Sequence, residues 1–213
     1  MQRAMRSKVN RFPLLFFIVI CFFSSITITQ ADWVQTDCPG GTIPALLADG
    51  IYLFAGTDGS GIYLSTDFGA HWTSVDTDLF SATQFAVLGG NIFVGGNTGV
   101  FSTNDSGSHW YSAGLDNYIV LSFADSGKNL YAGTYGNGIL YTSDGGNQWH
   151  SIDTGLTDLF VQSLSSSGAY LFAGTADNGV FLSTDNGMNW EERNNGLTNT
   201  DIYSFTILGA NVW

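Results

Sequence analysis

One octet recurs four times along the chain: STDFGAHW at 65–72, TNDSGSHW at 103–110, TSDGGNQW at 142–149 and STDNGMNW at 183–190. The closing tryptophans, Trp72, Trp110, Trp149 and Trp190, stand 38, 39 and 41 residues apart. A glycine precedes each octet aspartate by six residues: Gly61 and Asp67, Gly99 and Asp105, Gly138 and Asp144, Gly179 and Asp185. Self-similarity at a fixed period near 40 marks a repeat architecture, in which one small unit buries its apolar surface only by stacking on its neighbours. The constant six-residue offset is a hydrogen-bonding register, so the octets are four copies of one structural device.

The segments between octets carry no helical period. In the third unit the apolar runs are YIVLSFA, NLYAGT, GILYTS and QWHSI; in the fourth they are FVQSLSS, AYLFAGT, GVFLST and NWEER. Aromatic and β-branched residues separated by Gly, Asn and Asp are strand and hairpin signals, and four short strands in about 40 residues match a propeller blade. The octet falls on the turn between the third and fourth strands. Asp and Ser/Thr side chains bond the backbone of such a turn, and its central glycine takes a positive φ at low cost. The Trp opens the outer strand and lays its ring over the blade edge or the neighbouring blade. DWVQTD at 32–37 reads as an outer strand without its blade, which would close a ring from the N-terminal side. DIYSFTILG and ANVW read as the start of a fifth unit, so the expectation is about 4.5 blades of a six- to eight-bladed ring, C-terminally incomplete.

The pattern S/T-x-D-x-G-x-x-W resembles the Asp-box of the Asp-box (BNR) β-propeller superfamily, which includes sialidases, xyloglucan-active glycosidases, sortilin-like receptors and photosystem II assembly factors. The likeness covers about residues 33–213. It implies an all-β propeller of four-stranded antiparallel blades, with boxes at the blade periphery, away from any central site. By that resemblance Ser65, Asp67, Gly69 and Trp72 are structural, as are Thr103, Asp105, Gly107 and Trp110. The same holds for Thr142, Asp144, Gly146 and Trp149, and for Ser183, Asp185, Gly187 and Trp190.

Ahead of this domain, Arg3, Arg6, Lys8 and Arg11 precede the apolar run LLFFIVICFF and the polar stretch SSITITQA. The pattern predicts a signal peptide over 1–31 and a propeller over 32–213; the apolar run is shorter than the roughly 20 residues of a spanning helix. Export is therefore expected, to the periplasm, the cell surface or the medium. Without the leader, two basic residues face all 18 acidic ones, a net charge of −16. Such a surface disfavours nucleic acid and anionic membranes and leaves basic proteins, neutral glycans and soluble cations as partners. Cys38 alone follows the leader, so stability is expected from packing and not from a disulfide within the chain.

No cofactor is expected, since phosphate-cradling, nucleophile-elbow and CxxC motifs are absent. No metal is expected either: His71, His109 and His150 sit in separate units, and the Asp-rich turns do not match calcium loops. A meander places the second-to-third turns and the inter-blade loops together at the end opposite the boxes. On that end Asp58, Asp78, Tyr118, Tyr135, Asp158 and Asp177 are the candidate ligand-binding residues. Two readings stand. One is a non-catalytic module that binds protein or polysaccharide. The other is a glycoside hydrolase in which Asp58 and Asp158 or Asp177 act as acid and base. A single arginine after the leader, Arg193, leaves the arginine triad of sialidases without its residues.

Overall fold

The computed structural model describes residues 41–76, 81–208 and 211–212. The leader at 1–31, the ring-closing segment at 32–37 and Asp78 lie outside the described residues. Every described residue belongs to one compact unit.

Among the described residues all regular structure is β. The first sheet is β1 (Ala45–Asp49), β2 (Tyr52–Gly56), β3 (Ile62–Ser65) and β4 (Thr73–Asp76). The second is β5 (Ala82–Leu88), β6 (Asn91–Gly96), β7 (Gly99–Thr103) and β8 (Tyr111–Ser112). The third is β9 (Val120–Ser126), β10 (Asn129–Thr134), β11 (Ile139–Thr142) and β12 (His150–Ser151). The fourth is β13 (Val161–Ser167), β14 (Tyr170–Thr175), β15 (Val180–Ser183) and β16 (Glu191–Glu192), and a short pair follows, β17 (Ile207–Leu208) with β18 (Asn211–Val212). Each four-stranded sheet is an antiparallel meander in sequence order. The inner strands β1, β5, β9 and β13 pack side by side, so successive sheets stack as blades.

The second strand of each blade shows why the sequence reads as continuous apolar runs. In β10, Leu130 and Ala132 join the core shared with the second blade, while Tyr131 between them joins the core shared with the fourth. In β6, Ile92 and Val94 face the first blade and Phe93 the third. Strand side chains alternate between faces, and here both faces are interior, so no polar residue alternates in. The core is thus a series of layers between blades.

Blade spacing depends on a glycine at or next to the end of each second strand. A Cβ on Gly95 would stand 2.6 Å from Val120, and one on Gly174 would stand 2.5 Å from Ile202. Val120 opens the next inner strand, and Ile202 lies in the segment that follows the fourth blade. This is the physical content of the recurring AGT and Gly-Gly endings. Bulges at the second residue of β5, β9 and β13 re-aim side chains toward the following blade. Thr83 Oγ1 donates to the Val120 carbonyl at 2.6 Å, and Gln162 Nε2 reaches Asp201 Oδ1.

The outer strands are shorter than the runs QWHSI and NWEER lead one to expect, and the tryptophans stand before them rather than in them. Trp190 shows the reason, because its backbone N–H bonds the Thr154 carbonyl of the preceding blade at 2.9 Å and leaves its own ladder.

Candidate functional site

The octets form one repeated hydrogen-bonded turn at one end of the blades. In the third, Thr142 Oγ1 donates to Asp144 Oδ1 at 2.8 Å and accepts from Gly146 N at 3.0 Å. The same carboxylate oxygen accepts Gln148 N at 3.0 Å. The first, second and fourth boxes repeat these bonds through Ser65, Thr103 and Ser183. Two consecutive residues adopt positive φ: Phe68 and Gly69, Ser106 and Gly107, Gly145 and Gly146, Asn186 and Gly187. The box therefore holds one more position in the left-handed region than its constant spacing reveals.

Each box aspartate accepts bonds that favour its ionised form. Backbone and ring N–H groups of His71, with the Ser65 hydroxyl, hold Asp67 down at about 2. The His109 ring and the Thr103 hydroxyl do the same for Asp105, also at about 2. The backbone N–H of Gln148 lowers Asp144, and the side chain of Asn189 lowers Asp185. His71 and His109 lie 2.6 and 2.7 Å from their aspartates and belong to these turns. The four carboxylates sit on four different blades. Among the described residues no three His, Cys, Asp or Glu side chains are grouped to hold a metal ion.

The opposite end is built from the β2–β3-type turns and the inter-blade loops. A buried threonine, unassigned in the sequence reading, closes three of the turns: Thr57, Thr134 and Thr175 donate to Gly61, Gly138 and Gly179 carbonyls at 2.8 to 3.1 Å. The AGT endings carried that signal.

Between the third and fourth blades this end exposes an apolar strip. Tyr135 is 54% exposed, Leu159 41% and Ile119 39%. The Tyr135 ring lies 4.2 Å from that of Phe160, centroid to centroid. Backbone bonds fix the strip from both sides, Tyr135 N to the Ile119 carbonyl at 2.9 Å and Gly136 N to the Leu159 carbonyl at 3.1 Å.

The candidate acids differ in their surroundings. Asp158 spends both carboxylate oxygens on backbone N–H groups, Oδ1 on Phe160 and Oδ2 on Asp177, each at 2.9 Å. It ties the two loops together. Asp177 is exposed beside it, whereas Asp58 sits in the first blade, its N–H bonded to Thr42, with the second and third blades between. Tyr118 is half-buried against the core between the second and third blades. Farther along, Tyr203 Oη donates to Asp201 Oδ2 at 2.7 Å, a bond that raises the phenol above its usual range. Sequence reasoning did not single out Ile119, Leu159 and Phe160: Ile119 read as part of the run YIVLSFA, and Leu159 and Phe160 only as the end of the inter-blade loop GLTDLF.

An open depression of about 470 Å³ lies instead at the fourth box, against Leu182, Thr184, Asp185, Asn189, Trp190 and Glu191. Its central polar groups are already used within the box, Asn189 Nδ2 bonding Asp185 Oδ2 at 2.8 Å.

No family model matches the chain, and no curated protein matches it. Solved structures do. The extracellular domain of the putative one-component system BT4673 from B. thetaiotaomicron is similar at a TM-score of 0.72 and 19% identity, over 85% of this chain and 27% of that one. The GH74 xyloglucanase from Xanthomonas campestris gives 0.57 and 17%, over 71% and 30%. YCF48 bound to D1 peptide gives 0.58 and 17%, over 76% and 56%. The chain spans about a third or less of the sensor domain and of the xyloglucanase.

Proposed function

We propose, from the premise that this chain has the Asp-box β-propeller fold, that it is an exported, non-catalytic module that binds a protein or polysaccharide through its loop end. The observation that carries this reading is the strip of Ile119, Tyr135 and Leu159, exposed around the half-buried Phe160 yet held by backbone hydrogen bonds. Large apolar groups in water are unfavourable unless a partner covers them, and a rigid patch loses little entropy when it is covered. Tyr135 and Asp177 are the proposed contacts, and Asp158 positions the loops that carry them. Asp58, Tyr118 and Asp78 belong to the wider loop end. The similar structures include a peptide complex and extracellular sensor domains, which is in keeping with recognition outside the cell.

A paired-aspartate hydrolase draws no comparable support. Asp158 accepts two backbone N–H bonds, and Asp58 belongs to a blade two removed from the third-to-fourth gap.

The test immobilises the full chain and measures retention of soluble peptides and polysaccharides. Tyr135→Ala is expected to abolish most retention, while Tyr170→Ala, equally exposed at the box end, leaves it unchanged. Release of reducing sugar from xyloglucan that disappears in Asp58→Asn or Asp177→Asn overturns the reading in favour of hydrolysis.

A further inference from the structure

We infer that the partner presented to the Tyr135 strip is a cationic protein segment bearing Arg or Lys side chains; this inference rests on the loop end being the binding face. The argument is charge complementarity around an apolar centre. Asp158 and Asp177 adjoin the Tyr135–Phe160 pair, linked by the 2.9 Å bond between Asp177 N and Asp158 Oδ2. Glu192 stands behind them through Thr157, whose hydroxyl accepts from Asn178 Nδ2 at 2.9 Å and donates to Glu192. Asp201 continues the acidic border toward the next blade, where Gln162 and Tyr203 bond it.

The described residues hold two basic side chains, Lys128 and Arg193. Lys128 lies on the β9–β10 turn, at the box end. Arg193 is turned back on Glu191 at 2.7 Å and on the Glu192 carbonyl. The strip is therefore an aromatic platform bordered by carboxylates and free of opposing cations. A guanidinium laid on Tyr135 gains from the ring face and from the flanking acids at once, while its alkyl stem covers Leu159 or Ile119. A neutral sugar would stack on the ring but draw nothing from the charge, and an acidic segment would be repelled.

The experiment uses the whole chain with three probes in solution: a labelled peptide alternating Arg, Gly and Leu, its Glu-for-Arg counterpart, and a neutral xyloglucan oligosaccharide. Asp177→Lys and Asp49→Lys make the same change in net charge at opposite ends, and Tyr135→Ala removes the ring; all three positions are exposed, and melting curves verify folding. The expected result is binding of the Arg peptide alone, weakened about fivefold to tenfold by Asp177→Lys and by Tyr135→Ala, but less than about twofold by Asp49→Lys. Affinity also falls as salt is raised from about 50 to 200 mM.

Oligosaccharide or Glu-peptide binding that requires Tyr135 and ignores Asp177→Lys overturns the inference and leaves the loop end as the binding face. Equal weakening by Asp49→Lys and Asp177→Lys, with Tyr135→Ala silent, reduces the effect to diffuse charge and overturns both. Absence of Arg-peptide binding at about millimolar concentration overturns the inference as well.

Discussion

The indole N–H of Trp190 donates to the backbone carbonyl of Ile152 at 2.7 Å, stapling the fourth blade to the end of the third. Trp149 makes the equivalent bond to Ala113 of the second blade at 2.8 Å. Trp110 packs edge-on against Phe54 in the first blade, and its buried Nε1 has no hydrogen-bond partner among the described residues. Trp72 bonds the Gly69 carbonyl of its own turn at 3.0 Å. Trp190→Phe is accordingly expected to cost about 1 kcal/mol more than Trp110→Phe, because only the first leaves a carbonyl unpaired. Urea unfolding of the two variants measures the difference, and equal losses would remove the staple from the account.

Acid sensitivity follows from the box carboxylates. Asp67 and Asp105 are lowered from 3.8 to about 2, so their contribution is complete above the ordinary carboxylate value and is lost as pH falls through the folded value. Tryptophan fluorescence is expected to hold steady down to about pH 4, with the loss of these turns developing between about 4 and 2. A transition centred above pH 5 would show that other groups control acid unfolding.

Phe68 occupies a left-handed conformation, φ 60°, with a side chain 63% exposed. The third box carries Gly145 in that slot at φ 75°. An L-residue there costs about 1–2 kcal/mol relative to glycine, and little burial is lost on removing the ring. Phe68→Gly is expected to raise the melting temperature, and a clear drop would mean that the ring is covered in solution.

Gly174 packs where a methyl group has no room, with Ile202 at 2.5 Å from the added Cβ. Gly174→Ala is expected to destabilise the domain by about 1–3 kcal/mol. Gly50 and Gly168 have open space, but their positive φ makes them poor controls; Ser166→Ala, which removes an exposed hydroxyl that donates to the Asp125 carbonyl, is expected to cost about 0.5 kcal/mol. Denaturant titration ranks the two, and the reverse order would contradict blade spacing set by glycine.

What the sequence by itself determined was everything that closes within a few residues. The box bonds join residues two or four apart, as Thr142 to Asp144 and Asp144 to Gln148, so residue type and offset suffice to specify them. Strand order was legible for the same reason, since each hairpin turn is short. The tertiary structure alone decided contacts between residues 36 to 39 apart: Trp149 on Ala113, Trp190 on Ile152, Ser163 on Ile202. It also decided that Asp158, which reads like a free acid, is consumed by the N–H groups of Phe160 and Asp177. Local bonds follow chain geometry, but contacts one repeat apart depend on how blades stack. Side-chain volume at positions such as Gly174 sets that stacking, and the exposed strip around Tyr135 exists only once neighbouring blades have brought Ile119, Leu159 and Phe160 to its side.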